Sequence, residues 1–232
     1  MGPLAVRDDC QRAGAGKTIV RAGIAHLQRA GCRIIGLETM PRTMDNIGFY
    51  AGLGFTPGRL TLTMSLEGAR AEKAPRLLSA LSSTDRADAL QECATLVDGL
   101  MTGYDYTREL ELTRELGIGD TLLLYEGEQL TGFALCHSSP VVEGRSKEEL
   151  RVLKLALRDH HALDAMLVAL ADFARRSGTA RVAVRVQGEY SAMLRRIVAM
   201  GARVRWTDLR MTLEGSREKI PTDGIVISNW EI

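Results

Sequence analysis

Apolar residues recur along this chain in two rhythms, one suited to strands and one to helices, and the rhythms alternate almost from the start. Pro3-Leu4-Ala5-Val6 is a short extended run that feeds into Gln11-Arg12-Ala13-Gly14-Ala15-Gly16-Lys17-Thr18, so a strand followed by a glycine turn is predicted. From Thr18, the residues Ile19, Val20, Ala22, Gly23, Ile24, Ala25 and Leu27 keep helical spacing until Gly31, a helix stop. The compact run Arg33-Ile34-Ile35-Gly36-Leu37-Glu38-Thr39 predicts a second strand. Its brief helical crossover would set it parallel to the first. A second helix is expected from Asp45 or Asn46 as cap through Ile47, Phe49, Tyr50 and Leu53 to Gly54, then a strand over 60–66.

A stretch rich in Ala, Lys, Glu and Pro at 68–75 interrupts the pattern. Helical spacing returns over 83–101, and the apolar runs 121–125 and 130–135 flank Glu126-Gly127-Glu128-Gln129, a hairpin signal. Strands are predicted over 150–157, 181–186 and 209–213, with helices over 161–177 and 191–200 between them. Gly224-Ile225-Val226-Ile227-Ser228 reads as one last strand.

The order of the second part repeats that of the first. A shift of about 147 positions lays Gly31 on Gly178 and Gly54 on Gly201. It also lays Leu62-Thr63-Met64-Ser65-Leu66-Glu67-Gly68 on Leu209-Arg210-Met211-Thr212-Leu213-Glu214-Gly215. Helix ends, strands and this closing heptapeptide agree without a gap, the mark of an internal duplication. The second copy begins near Leu77. By the same shift, the first would begin about 70 residues upstream of Met1, so it is expected to lack its opening strand, helices and hairpin. Four segments follow: residues 1–68, the C-terminal part of a first copy; a linker, 69–76; a second copy, 77–215; and a tail, 216–232.

Composition narrows the function classes. The 232 residues are 45% hydrophobic and 25% charged, ordinary for a globular chain with a sizeable core. A formal net charge of +1 gives no electrostatic reason for a nucleic-acid or membrane partner. Cys10, Cys32, Cys93 and Cys136 lack metal-ligand or paired spacing, and no apolar run approaches spanning length, so a reduced, cytoplasmic protein without a metal is expected.

Gly14 and Gly16 open a helix, where backbone N–H groups converge and the dipole favours an anion, provided no Cβ blocks the approach. Gln11, Arg12, Lys17 and Thr18 surround that turn with donors and positive charge, which makes it a candidate pyrophosphate cradle. Gly16-Lys17-Thr18 matches the end of a Walker A loop, but position 11, where that loop needs another glycine, is glutamine. The Rossmann fingerprint fails at Ile19, where a third small residue should stand.

Gln11-Arg12-Ala13-Gly14-Ala15-Gly16 after Leu4-Ala5-Val6 resembles the [QR]xxGx[GA] signature of the GNAT superfamily of acyl-CoA-dependent N-acetyltransferases. Asn46, Phe49-Tyr50 and Gly54-Phe55 resemble its second element. The resemblance implies an α/β mixed-sheet fold, here two tandem GNAT-like folds. It also implies acetyl-CoA as co-substrate and transfer of its acetyl group to a small-molecule or protein amine. Backbone groups of Ala5 and Val6 would pair with pantetheine, amides from Arg12 through Ala13, Gly14, Ala15 and Gly16 to Lys17 would hold the pyrophosphate, Asn46 would anchor an amide, and Tyr50 would be the general acid. No residue is assigned as base, since Glu38, Asp8 and Asp9 are merely nearby in sequence.

In the second copy the shift puts Arg158 at Gln11, His161 at Gly14, Leu163 at Gly16, Asp164 at Lys17, Met193 at Asn46 and Ile197 at Tyr50, so the site is expected to be lost there. A catalytically silent acyl-CoA-binding or interaction module is the alternative reading. An uncovered edge beside residues 4–6 would be closed by strand exchange or by a homodimer.

Overall fold

The structure, a computed structural model, describes residues 4–140, 146–216 and 218–230. The chain forms two compact units, one of residues 1–61, 207–218 and 229–232, the other of 62–206 and 219–228.

The first unit holds α1 (Ala15–Arg29), β1 (Gly36–Thr39), α2 (Met44–Ala51), the opening of β2 (Phe55–Glu67) and the end of β8 (Arg203–Leu213). β8 lies between β1 and β2 and runs antiparallel to β1, with Gly36 opposite Thr212 and Thr39 opposite Leu209. Val20, Ile24 and Leu27, one face of α1, pack with Ile35, Phe55 and Met211, which is why this helix forms despite a polar outer face. Gly31 ends the helix at a φ of 79°, a left-handed turn in which the Cys32 N–H reaches back to the Leu27 carbonyl.

Three expectations are corrected here. Residues 4–7 form no strand, and β1 pairs antiparallel with β8 rather than parallel with an upstream strand. A strand needs partners for its backbone groups. The Val6 carbonyl instead accepts from the side chain of Gln11. The cap of α2 is Thr43 rather than Asp45 or Asn46, since the Thr43 carbonyl accepts from the N–H groups of Asn46 and Ile47.

The second unit holds the rest of β2, β3 (Arg76–Leu77), α3 (Ser83–Leu100), α4 (Thr107–Glu115), β4 (Gly119–Glu126), β5 (Gln129–His137), β6 (Glu149–Leu157), α5 (Ala162–Arg176), β7 (Arg181–Gln187), α6 (Ser191–Ala199), the start of β8, and β9 (Ile225–Ser228). Its sheet runs β2-β7-β6-β5-β4-β3, with β9 also paired to β6. β6 and β7 are parallel, while β4, β5 and β6 are successively antiparallel. The predicted hairpin is present, turning at Gly127 with a φ of 60°.

Both sheet faces are covered. Leu163, Met166, Leu167 and Leu170 of α5 and Met193 and Ile197 of α6 meet Leu150, Val152, Leu155 and Leu157 on one face. Cys93, Leu96 and Val97 of α3 and Leu110 of α4 meet Leu123, Phe133 and Leu153 on the other. Each such leucine, fully removed from water, contributes about 1.5–3 kcal/mol relative to exposure.

Matched elements stand at one offset along the chain. α1 spans 15–29 and α5 spans 162–176, so both ends differ by 147, and the starts of α2 and α6, 44 and 191, differ by the same number. Gly31 and Gly178 have φ of 79° and 81°, and Gly54 and Gly201 both 90°.

Candidate functional site

The glycine loop is built by local bonds. A short 3-10 turn, Asp8–Cys10, follows the extended residues, and the Gln11 amide then donates to both the Val6 carbonyl (3.0 Å) and Asp8 Oδ1 (2.9 Å). Gln11 is therefore a brace for the loop. Arg12 sits at a φ of 64°, which for a residue with a Cβ costs about 1 kcal/mol or more. Gly14 caps α1 at a φ of 85°, and a Cβ there would meet nothing within 4 Å, so the space in front of the helix end is open.

Thr18 donates both its N–H (3.1 Å) and its hydroxyl (3.3 Å) to the Gly14 carbonyl. That bond starts the helical ladder and leaves the N–H groups of Ala15, Gly16 and Lys17 without an intrahelical acceptor. Arg12, Ala13 and Lys17 are exposed beside them. The arrangement suits an anion: three N–H groups free of the helical ladder, the positive end of a helix and two exposed cations.

A Cβ on Gly16 would stand 3.4 Å from the Phe49 ring and 3.7 Å from Val6 Cγ2. So the start of α1, the extended residue Val6 and α2 meet at one place. The next residue, Tyr50, is half-buried, its ring edge-on to Phe49 (5.1 Å) and Phe55 (6.0 Å). Burial pushes the Tyr50 phenol above its ordinary pKa, so it holds its proton more firmly than a free tyrosine. Asn46, one turn earlier on α2, is partly buried, and Ala5 is exposed. Phe55 belongs to the core of the unit, with Phe49 packed against it.

The carboxylates near this loop in sequence have other duties. Asp8 accepts from Gln11, and Asp9 pairs with Arg7 at 2.5 Å. Glu38, read from sequence as merely nearby, is fully buried. It is ion-paired with Arg210 (Nε at 3.1 Å) and accepts from the Thr61 hydroxyl (2.5 Å) and the Trp230 N–H (3.2 Å). Arg210 also pairs with Glu218 (2.6 Å) and stacks on Trp230 at 3.8 Å, and Arg59 pairs with Glu218 at 3.5 Å. The Glu38 carboxylate is thus engaged in a buried ionic group. The sequence held no local sign of it, because its members come from separate segments of the chain.

The second unit is different at the matching positions. His161 precedes α5 at a φ of −69° rather than in a left-handed turn, Asp164 pairs with Arg196 (2.6 Å), and Ile197 is buried. Among the described residues no group of three or more His, Cys, Asp or Glu is placed to hold a metal ion, and no helix is long and apolar enough to cross a membrane.

Residues 1–55 match the model of the Acetyltransferase (GNAT) family. No curated protein matches the sequence. Among solved structures, a Pyrococcus horikoshii protein assigned as an acetyltransferase is similar with a TM-score of 0.65 at 16% identity, covering 98% of this chain and 69% of that one. A GCN5-related N-acetyltransferase from Sphaerobacter thermophilus follows with a TM-score of 0.56 at 14% identity, covering 93% and 72%. A tandem GNAT protein from the clavulanic acid biosynthesis pathway has a TM-score of 0.55 at 14% identity, covering 93% and 74%. At these identities the likeness is one of fold, a mixed α/β architecture. The family match covers the glycine loop and α2, and the fold of the described chain is similar to that of these solved structures.

Proposed function

We propose that this chain is an N-acetyltransferase that takes its acetyl group from acetyl-CoA and passes it to a small-molecule or protein amine. The observation that carries the reading is the open end of α1. A left-handed glycine cap, N–H groups free of the helical ladder at Ala15, Gly16 and Lys17 and the cations Arg12 and Lys17 stand beside Phe49 and Tyr50. A side chain at Gly14 would enter that space, whereas one at Gly16 would press on Phe49 and Val6, so the residues present fit a diphosphate.

In this reading the amides of residues 12–17 bind the diphosphate and backbone groups of Ala5 and Val6 pair with pantetheine. Gln11 holds this loop in shape through the Val6 carbonyl. Asn46 shares a helix face with Tyr50 and anchors an amide. The neutral acceptor amine attacks the thioester carbonyl carbon and the C–S bond breaks as the Tyr50 phenol, its pKa raised by burial, gives its proton to the departing thiolate; the proton lost by the amine nitrogen passes to solvent, from which the phenol is restored. Acetyl-CoA supplies the activated acyl group.

We also propose two GNAT-like halves, residues 1–68 and 77–215 joined by 69–76, of which only the first keeps the site. The common 147-residue offset of helix ends and left-handed glycines supports this. The four cysteines are free, in keeping with a reducing cytoplasmic compartment.

Tyr50→Phe tests the enzyme reading. It should lower acetyl transfer on the order of a hundredfold while leaving coenzyme A affinity nearly unchanged. Equal rates in the two proteins would favour a silent acyl-CoA-binding module.

A further inference from the structure

β6 and β7 run parallel from Glu149 opposite Arg181 to Val152 opposite Val184, and there the pairing stops. Leu153 is a bulge, passed over between Cys136 opposite Val152 and Leu135 opposite Lys154, and a bulge bends its strand. Two parallel strands that part in this way expose a row of unpaired backbone groups.

In this unit the row is taken by the chain's own tail. β9 pairs antiparallel with the freed edge of β6, Lys154 opposite Ser228 through Leu157 opposite Ile225. Tyr190, just after β7, closes the other side: its hydroxyl donates to the Val226 carbonyl at 2.9 Å and accepts the Val226 N–H at 3.1 Å. Ile225 and Ile227 are buried with the core under α5, and Val226 with the core under α3. Gly224 leads the strand in at a φ of 81°, where a Cβ would lie 2.5 Å from the Leu157 carbonyl oxygen, so only glycine fits the entry.

The helix end beyond β6 is filled as well. Asp159 Oδ1 accepts the N–H groups of His161 (2.7 Å) and Ala162 (3.3 Å), placing a carboxylate at the start of α5. Under the 147-residue offset this corresponds to the start of α1, where the amides face open space.

We propose that the second half carries built-in substitutes for acyl-CoA, with β9 lying in the place of the pantetheine arm and Asp159 in the place of the diphosphate. The chain then has one acyl-CoA site, and the tail is a permanent strand of the second half. The inference rests on the function proposed above: under the offset Val152 and Leu153 match Ala5 and Val6, and β9 pairs with the four residues that follow, between them and the start of α5.

Hydrogen exchange read by mass spectrometry on the full-length chain, with and without saturating coenzyme A, tests it alongside calorimetric stoichiometry. Peptides covering 153–157 and 224–228 should exchange at core rates in both states, and 11–18 should slow only with coenzyme A. One ligand should bind per wild-type chain and none per Gly14→Glu chain. Two ligands per chain, loop-like exchange of 225–228 without ligand, or loss of protection there as 158–164 gains it, would each overturn the proposal. If coenzyme A neither binds nor protects any peptide, the proposed transferase fails, while slow exchange at 225–228 still upholds the closed cleft.

Discussion

The side-chain amide of Gln11 reaches back five residues to the carbonyl of Val6 at 3.0 Å, so the first residue of the glycine signature shapes the extended segment before it. Its second bond, to Asp8, fixes the turn between them. Gln11→Leu removes both donors. The bond to the Val6 carbonyl is neutral and worth about 1 kcal/mol, and the exposed one to the Asp8 carboxylate is of similar order, so coenzyme A affinity should fall on the order of tenfold with the melting temperature nearly unchanged. Calorimetry on the variant checks this; unchanged affinity would show that the brace is dispensable.

Glu38 lies buried between Arg210, Thr61 and Trp230. Glu38→Ala takes one of Arg210's two carboxylate partners and leaves the Thr61 hydroxyl and the Trp230 N–H without this acceptor, so it should destabilise the protein by about 1–3 kcal/mol. Urea denaturation would show it as a lower midpoint. A variant of wild-type stability with no acetyl transfer would instead make Glu38 a chemical participant.

Tyr50 yields a pH prediction. Its phenol is an acid whose pKa burial raises, so the protonated, donating form persists to higher pH than in a free tyrosine. The fall in kcat due to Tyr50 should therefore begin only above about pH 10, the ordinary tyrosine value. In Tyr50→Phe that alkaline limb should vanish. A limb below that value, absent from the variant, would contradict the assignment.

The legible parts of this chain were those whose cause is local. Gly14, Gly31 and Gly127 announced turns because only glycine adopts their left-handed backbone cheaply, and the helical spacing of Val20, Ile24 and Leu27 placed α1. The extended run at 4–6 misled because strand propensity says nothing about whether a partner is present. β9 was legible as a strand, yet its pairing with β6 was not, since nothing in Ile225-Val226-Ile227 names its neighbour. The burial of Glu38 was not legible for the same reason: Arg210 and Trp230 lie far along the chain. Gln11 was seen as part of the signature, while its bond to Val6 required the backbone path of the 3-10 turn.

The most direct test is a calorimetric titration of acetyl-CoA into the full-length protein and into Gly14→Glu. Gly14 stands at a φ of 85° with open space before it, so glutamate adds about 1 kcal/mol of backbone strain and a negative charge where the diphosphate is expected. Saturable binding by the wild type, lost in a variant that still unfolds cooperatively, is the predicted result. No heat from the wild type, or equal binding by both proteins, would contradict a diphosphate held at the start of α1.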